Sequence, residues 1–181
     1  MKKYLSNDTI SLRAIEPEDI ELLYLWENDP EIWKVSHTLV PFSKYILALY
    51  IKNADKDIFE SKQLRLMIDT TDGKTIGAID LFDFEPFHSR VGIGLLIHNQ
   101  EDRSKGYATT ALDLLINYCF NKLNIHQLYV NIETGNKISL HLFKNLGFEI
   151  CGTKKEWLRT ESGWKDEVML QLIRPTDSAA I

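Results

Sequence analysis

The chain has 181 residues, 44% of them hydrophobic, enough for one core without disulfide or metal staples. Its formal charge of −5 is not gathered into long blocks of one sign, which argues against nucleic acid as a main partner and suits a cationic ligand. No run approaches the roughly 18 apolar residues of a membrane span, and residues 1–8 turn polar before any signal-peptide core forms, so a cytoplasmic protein with no membrane partner is expected.

Residues 9–15 read as a first strand. Pro17, followed by Glu18 and Asp19, opens a helix expected to run to residue 28, because proline is tolerated in a first turn and acids favour the positive end of the dipole. Residues 29–42 carry Pro30 and Pro41 and read as irregular, after which Ser43 starts a second helix. Residues 64–69 and 75–82 flank Asp72-Gly73 and read as an antiparallel hairpin. The pattern breaks at residues 85–88 and resumes at 91–97 as a mostly apolar central strand.

A polar stretch from Asn99 to Gly106 leads into a long helix over residues 107–123, whose Ala108, Ala111, Leu112, Leu115 and Cys119 recur at helical spacing. A strand at 127–132, a short helix at 136–145 stopped by Gly147, and a final hairpin of 148–158 with 164–173 complete the chain. With no repeat or linker to divide it, the chain is expected to form one α/β domain over 1–181, its core spanning about 9–174. Cys119 and Cys151 lack the spacing of a metal or redox site, so no metal is expected and both thiols are predicted to be buried and reduced.

The stretch Arg103-Ser104-Lys105-Gly106-Tyr107-Ala108 is the most informative. It closes a strand and opens a helix, where free N–H groups and the dipole attract phosphate and Gly106 lets the main chain approach closely. It lacks the Gly-Lys-Ser/Thr ending of a nucleotide-binding P-loop. Trp33 and Glu31, in the irregular segment, are candidates for holding an amine through cation–π attraction and charge; Tyr45 and Tyr50 are further candidates, while Trp26 is expected to pack in the core. Glu27, Asp29, Glu31, Asp55, Asp57 and Glu60 add an acidic balance around the expected substrate entrance.

With Asn136 and the ending Leu142-Phe143-Lys144-Asn145-Leu146-Gly147-Phe148, this constellation resembles the GNAT superfamily of N-acetyltransferases, whose pyrophosphate loop Gln/Arg-x-x-Gly-x-Gly/Ala is matched by Arg103, Gly106 and Ala108. Leu12-Arg13, His88-Ser89-Arg90 and Trp164-Lys165-Asp166 make it most similar to the spermidine and ribosomal-protein alanine acetyltransferase branches. The resemblance implies a mixed, mostly antiparallel sheet of six to seven strands with splayed central strands, flanked by about four helices. It also implies an enzyme that transfers acetyl from acetyl-CoA to a primary amine. The expected acceptor is polyamine-like; the alternatives are a protein N-terminus, or a CoA-binding sensor that has lost catalysis.

In that reading backbone groups of Leu95, Leu96 and Ile97 bind the pantetheine arm. The loop Arg103, Ser104, Lys105, Gly106, Tyr107, Ala108 and Thr109 holds the pyrophosphate, while Asn136, Ser139, Phe143 and Lys144 line the CoA side. The Leu96 N–H is the expected donor to the thioester oxygen. Two departures from the family stand out. Phe143 occupies the place of a tyrosine that protonates the leaving thiolate, and Gly92 that of a glutamate base. The base must therefore come from Asp80, Glu85, His88 or Glu133, with Glu85 and His88 preferred and Glu85 also placed to touch the acceptor. Strand edges in the final hairpin make a homodimer the expected assembly.

Overall fold

The computed structural model describes residues 4–36 and 38–175; Met1, Lys2 and Lys3, on which the reading of residues 1–8 partly rests, lie outside them. Seven strands form one sheet: β1 (Ile10–Ala14), β2 (Leu64–Thr70), β3 (Thr75–Glu85), β4 (Arg90–Ile97), β5 (Gln127–Glu133), β6 (Glu149–Thr160) and β7 (Gly163–Ile173). Their order is β1-β2-β3-β4-β5-β7-β6, and only β4 and β5 run parallel. The helices are α1 (Ile20–Glu27), α2 (Pro30–Ser36), α3 (Lys44–Lys52), α4 (Ile58–Ser61), α5 (Tyr107–Asn121) and α6 (Lys137–Asn145).

The α/β architecture matches the expectation, with two more helices than predicted. α2 falls in the stretch read as irregular: Pro30 begins this helix instead of breaking one, and Asp29 accepts from the Glu31 N–H at 2.9 Å. α4 is a single turn started by Asp57, whose carboxylate accepts from the N–H groups of Phe59 and Glu60. Ser43 starts α3 as predicted, accepting from the Ile46 N–H at 3.2 Å.

Both faces of the sheet are covered. Ala111, Leu112, Leu115 and Cys119 of α5 and Phe143 of α6 pack with Val91, Ile93, Leu128, Val130 and Ile132 on one face. Leu23 and Trp26 of α1 and Leu47 of α3 pack with Met67 and Ala78 on the other, and Trp26 takes the core role expected of it. Double coverage explains why β2 is not a simple alternation: Met67 is as buried as Ile68. Cys119 is buried and its thiol is pushed up to about 12 by desolvation. Cys151 corrects the other expectation for the thiols. It is exposed, because β6 is the outermost strand and no helix covers it.

Arg13 ties the first elements to the sheet. It donates to Asp69 of β2 at 2.6 Å, to both oxygens of Asp19 at 2.7 and 2.8 Å, and to Thr75 of β3 at 3.1 Å. Burial, the largest single influence on Asp19, pushes its carboxyl up; the Arg13 hydrogen bond, the Glu16 N–H and the Arg13 charge together outweigh burial and lower it from 3.8. A depressed folded-state value gives stability that is complete above the ordinary aspartate range and lost as pH falls through the folded value. Asp19→Asn is therefore expected to cost about 1–3 kcal/mol at neutral pH, the range for hydrogen bonds between charged groups. The deficit should shrink below about pH 4, as urea melts of both proteins across pH 2 to 7 would show.

Candidate active site

β4 is antiparallel to β3 along its length but pairs with β5 only through Arg90↔Gln127, Val91↔Leu128 and Gly92↔Tyr129. Past Gly92 the two parallel strands separate. Which backbone groups this leaves free follows from the ladder. The His98 N–H donates to the Ile76 carbonyl at 3.1 Å, and hydrogen-bonded pairs in an antiparallel ladder recur at every second residue. Leu96, Gly94 and Gly92 thus turn their N–H and C=O to β3, while Ile93, Leu95 and Ile97 turn theirs to the β5 side. The Gln127 N–H donating to the Ser89 carbonyl at 3.2 Å fixes the same parity from the other edge. Leu95 is therefore the residue with both backbone groups on the open edge.

This corrects one expectation. The Leu96 N–H cannot serve as the thioester donor, because it belongs to the ladder with Ala78. Leu95 and Ile97 lie on the open edge, where the Leu95 N–H faces away from β3. The Ile97 carbonyl is already taken by Arg103 Nε at 3.0 Å.

The loop after β4 has the form of an anion cradle. Ser104 and Gly106 both take positive φ, +60° and +84°, on either side of Lys105, the alternation of sign by which a backbone nest turns successive N–H groups inward; Arg103, before them, is extended. No side chain caps α5, whose first-turn N–H groups remain available, and the space where a Gly106 Cβ would sit is open. Arg103 departs from its expected contact with phosphate. Its guanidinium donates to the carbonyls of Ile97 and His98, at 3.0 and 2.9 Å, and so clamps the loop to the end of β4. Ser104, Lys105 and Thr109 are exposed and Tyr107 and Ala108 half-buried, all around this helix start.

Across the opening, Asn136 caps α6 by accepting from the Ser139 N–H at 3.1 Å. Phe143 is buried edge-on to Phe148, with ring centroids 5.1 Å apart, and Lys144 is exposed. A pantetheine arm fits the open edge of β4, a pyrophosphate fits the nest and the free α5 N-terminus, and both follow from this chain's own backbone.

The opposite face of the sheet carries a cavity of about 350 Å³ beside β4, walled by Phe42, Tyr50 and Phe82 and bearing Glu27, Arg65 and Asp80. Asp80 lies opposite Gly94 in the β3–β4 ladder, which brings this cavity next to Leu95. Arg65 grips both Asp80 oxygens, at 2.7 and 3.0 Å, and donates to Glu27 Oε1 at 2.5 Å. Its guanidinium also lies 5.5 Å from the centre of the Tyr50 ring. Burial by itself would lower the Arg65 guanidinium; Asp80 and Glu27 more than offset this and raise it, so it stays charged. The site therefore holds two carboxylates and one fixed cation, with Glu27 Oε2 uncommitted to Arg65.

Glu85 and His88 are not brought to this cavity. They sit in the β3–β4 turn, at the end where β4 and β5 are still paired, and Glu85 accepts from the Phe87 N–H. Five strand residues, about 17 Å, separate the Arg90 partner of Glu85 from Leu95. Trp33 and Glu31 are also elsewhere. The Trp33 indole donates to the Glu27 carbonyl at 2.6 Å, and Glu31 is exposed and paired with Lys34. Tyr50 does line the cavity; Tyr45 is exposed. Glu133, at the end of β5, lies across the opening from Asp80. At Gly92 a Cβ would meet the Phe82 ring at 2.4 Å, so an acid in this place would require that ring to shift.

Sequence reasoning missed Arg65, Phe42 and Phe82. The available signal was an arginine inside an otherwise apolar strand, Leu64-Arg65-Leu66-Met67-Ile68, where charge needs a partner.

Known proteins share the family and the fold. Residues 9–149 match the family model described as an acetyltransferase (GNAT) domain. The chain is 27% identical over 149 residues to a spermidine N(1)-acetyltransferase of Escherichia coli, covering 81% of this chain and 76% of that protein. A shorter stretch of 76 residues, 42% of this chain and 39% of the relative, is 34% identical to the ribosomal-protein alanine N-acetyltransferase of Escherichia coli. The fold superposes on a spermidine N-acetyltransferase from Vibrio cholerae, crystallised with CoA and spermine, with a TM-score of 0.83 at 23% identity, over 92% of this chain and 96% of that one. Gly106→Val places a branched side chain at positive φ in the cradle and is expected to weaken acetyl-CoA binding about 5- to 30-fold, given the 1–2 kcal/mol cost of a left-handed residue. Calorimetry on the folded variant checks it; unchanged affinity contradicts the cradle.

Proposed function

Since this chain belongs to the GNAT acetyltransferase family, an acetyl-CoA-dependent group of N-acetyltransferases, we propose that its acceptor is a polyamine-like primary amine whose ammonium is drawn to Glu27 and Asp80. The observation that carries this reading is the Glu27–Arg65–Asp80 cluster in an aromatic-walled cavity beside the open edge of β4. A relative that covers 81% of this chain is named a spermidine N(1)-acetyltransferase, which agrees with it.

Bound acetyl-CoA supplies a thioester, whose C–S bond breaks as the acceptor nitrogen bonds to the acetyl carbon. The protein's contributions follow from the geometry. The Leu95 N–H donates toward the edge where negative charge develops on the acetyl oxygen, and needs no rearrangement to do so. Asp80, held by two hydrogen bonds from Arg65, fixes the electrostatic floor of the cavity. Glu27 presents its second oxygen to the acceptor and takes the proton that the amine must lose before it attacks. Phe82 and Tyr50 enclose the alkyl part of the acceptor and exclude water. With Phe143 unable to give a proton, solvent protonates the thiolate, which is a tolerable leaving group with a thiol value of roughly 8.5.

In this reading the protein works in the cytoplasm; among the described residues no helix is long and apolar enough to cross a membrane. A second copy pairs along the outer β6 edge, where Trp157 and Trp164 are both 59% exposed.

A thiol-release assay with acetyl-CoA and a panel of amines tests the proposal. Turnover should be highest with linear polyamines, and Glu27→Gln should lower kcat/KM for them by about 10² or more, the usual cost of removing a general base, with CoA affinity retained. Background turnover across the panel, with CoA still bound, would count for the sensor reading instead.

A further inference from the structure

The loop that receives the pyrophosphate carries its own acids. Between Asn99 and Gly106, Glu101 and Asp102 offset Arg103 and Lys105, so the loop brings no net positive charge to a strongly anionic ligand. Asp102 is also 4% exposed, and a carboxylate shielded from water calls for a cation beside it. The cation comes from a different part of the fold. Lys74 Nζ reaches Asp102 Oδ2 at 2.7 Å and Glu101 Oε1 at 3.0 Å, across 28 residues of sequence. Lys105, on the loop itself, stays 3.6 Å from the other Asp102 oxygen.

The turn that presents Lys74 is itself fixed. The Thr70 N–H and hydroxyl both donate to the Lys74 carbonyl, at 2.9 and 3.0 Å, and the Gly73 N–H donates back to the Thr70 carbonyl at 2.9 Å. The Thr70 hydroxyl also bonds Asp72. Asp102 in turn sits in the single 3₁₀ turn between β4 and the nest, where its N–H donates to the Asn99 carbonyl at 3.1 Å, one residue before Arg103 clamps the loop to Ile97 and His98. The hydrogen bond from Lys74, ahead of desolvation, holds the Asp102 carboxyl below the usual aspartate value.

We infer that Lys74, on the turn between β2 and β3, is a positioning residue for acetyl-CoA: by holding and neutralising Asp102 it sets the nest at Ser104–Gly106 and loosens the pairing of Asp102 with Lys105, which can then turn to the anion. Two consequences of losing it reinforce each other. An uncompensated Asp102 carboxylate would repel the pyrophosphate from close range, and Lys105 would be drawn onto Asp102 and away from the ligand. Lys74 touches neither the acceptor cavity nor the open edge of β4, so its effect belongs to binding of the donor and not to the chemical step. The inference rests on the loop being the pyrophosphate site.

Steady-state kinetics and calorimetry with CoA on the intact protein test it. Lys74→Met should raise KM for acetyl-CoA and Kd for CoA by about 5- to 20-fold, the lower part of what a charge-assisted hydrogen bond gives once the half-exposed lysine is discounted for solvent. The value of kcat at saturating acetyl-CoA should change less than about twofold, as expected when only uniform binding is lost. Lys74→Arg should recover most of the affinity. In an Asp102→Asn background, Lys74→Met should add little, because the charge it neutralises is gone. A lowered Tm with unchanged KM and Kd would overturn the inference, as would no effect at all. An equal loss of affinity in the Asp102→Asn background would overturn it too, by showing that Lys74 meets the anion directly. Failure of the wild-type protein to bind CoA would instead remove the assignment of the loop, and the inference with it.

Discussion

The structure turns on the separation of two parallel strands. β4 is held by β3 on one side and β5 by β7 on the other, and these antiparallel ladders are long, whereas the β4–β5 ladder ends after three pairs. Each strand keeps its outer neighbour and the sheet opens between them. Backbone N–H and C=O groups at such an opening need partners, and an extended ligand arm can supply them as a missing strand would. The constraint also places the anion cradle, because the loop that leaves β4 must turn at the mouth of the opening to begin α5.

A sheet covered on both faces sets the proposed donor and acceptor sites on different elements. On one face α5 and α6 pack tightly against β4 and β5, and their near ends frame the donor site. On the other, α1 and α3 stand over β2 and β3 and leave the cavity that holds Glu27, Arg65 and Asp80. The two sites meet only along β4, at Gly92 and Gly94. At Gly92 the lack of a side chain has a steric reason, because the Phe82 ring lies 2.4 Å from where a Cβ would sit; at Gly94 a Cβ would make only ordinary contact with Asp80, at 3.5 Å.

Charge in the molecule is arranged in compensated groups, with a residue from a distant segment completing each. Arg13 joins Asp19 and Asp69, Arg65 joins Glu27 and Asp80, and Lys74 joins Glu101 and Asp102. Arg13 and Arg65 each serve two acids and leave a residual negative charge, whereas at the loop Lys105 also pairs with Asp102. At the acceptor cavity this residue of charge suits an ammonium. At the donor loop it would oppose the ligand without the lysines. The same arithmetic therefore favours binding in one place and must be corrected in the other.

The sequence by itself determined what local chemistry decides. Asp72-Gly73 fixed a hairpin, Ser43 and Asn136 fixed helix starts, and the spacing of Ala111, Leu112, Leu115 and Cys119 fixed the buried face of α5. Pro30 was ambiguous because proline both breaks a helix and begins one, and only packing of Ile32 in the core made α2 the outcome. Tertiary structure alone decided the parity of β4, which faces Leu95 and not Leu96 to the opening, since a one-residue change of register reverses every backbone group and side chain. It alone decided that Glu85 and His88 lie at the closed end and that Glu27, Arg65 and Asp80 meet. The reason is physical: a turn or a cap is written in neighbouring residues, whereas residues from α1, β2 and β3 come within 3.0 Å only after the sheet has assembled.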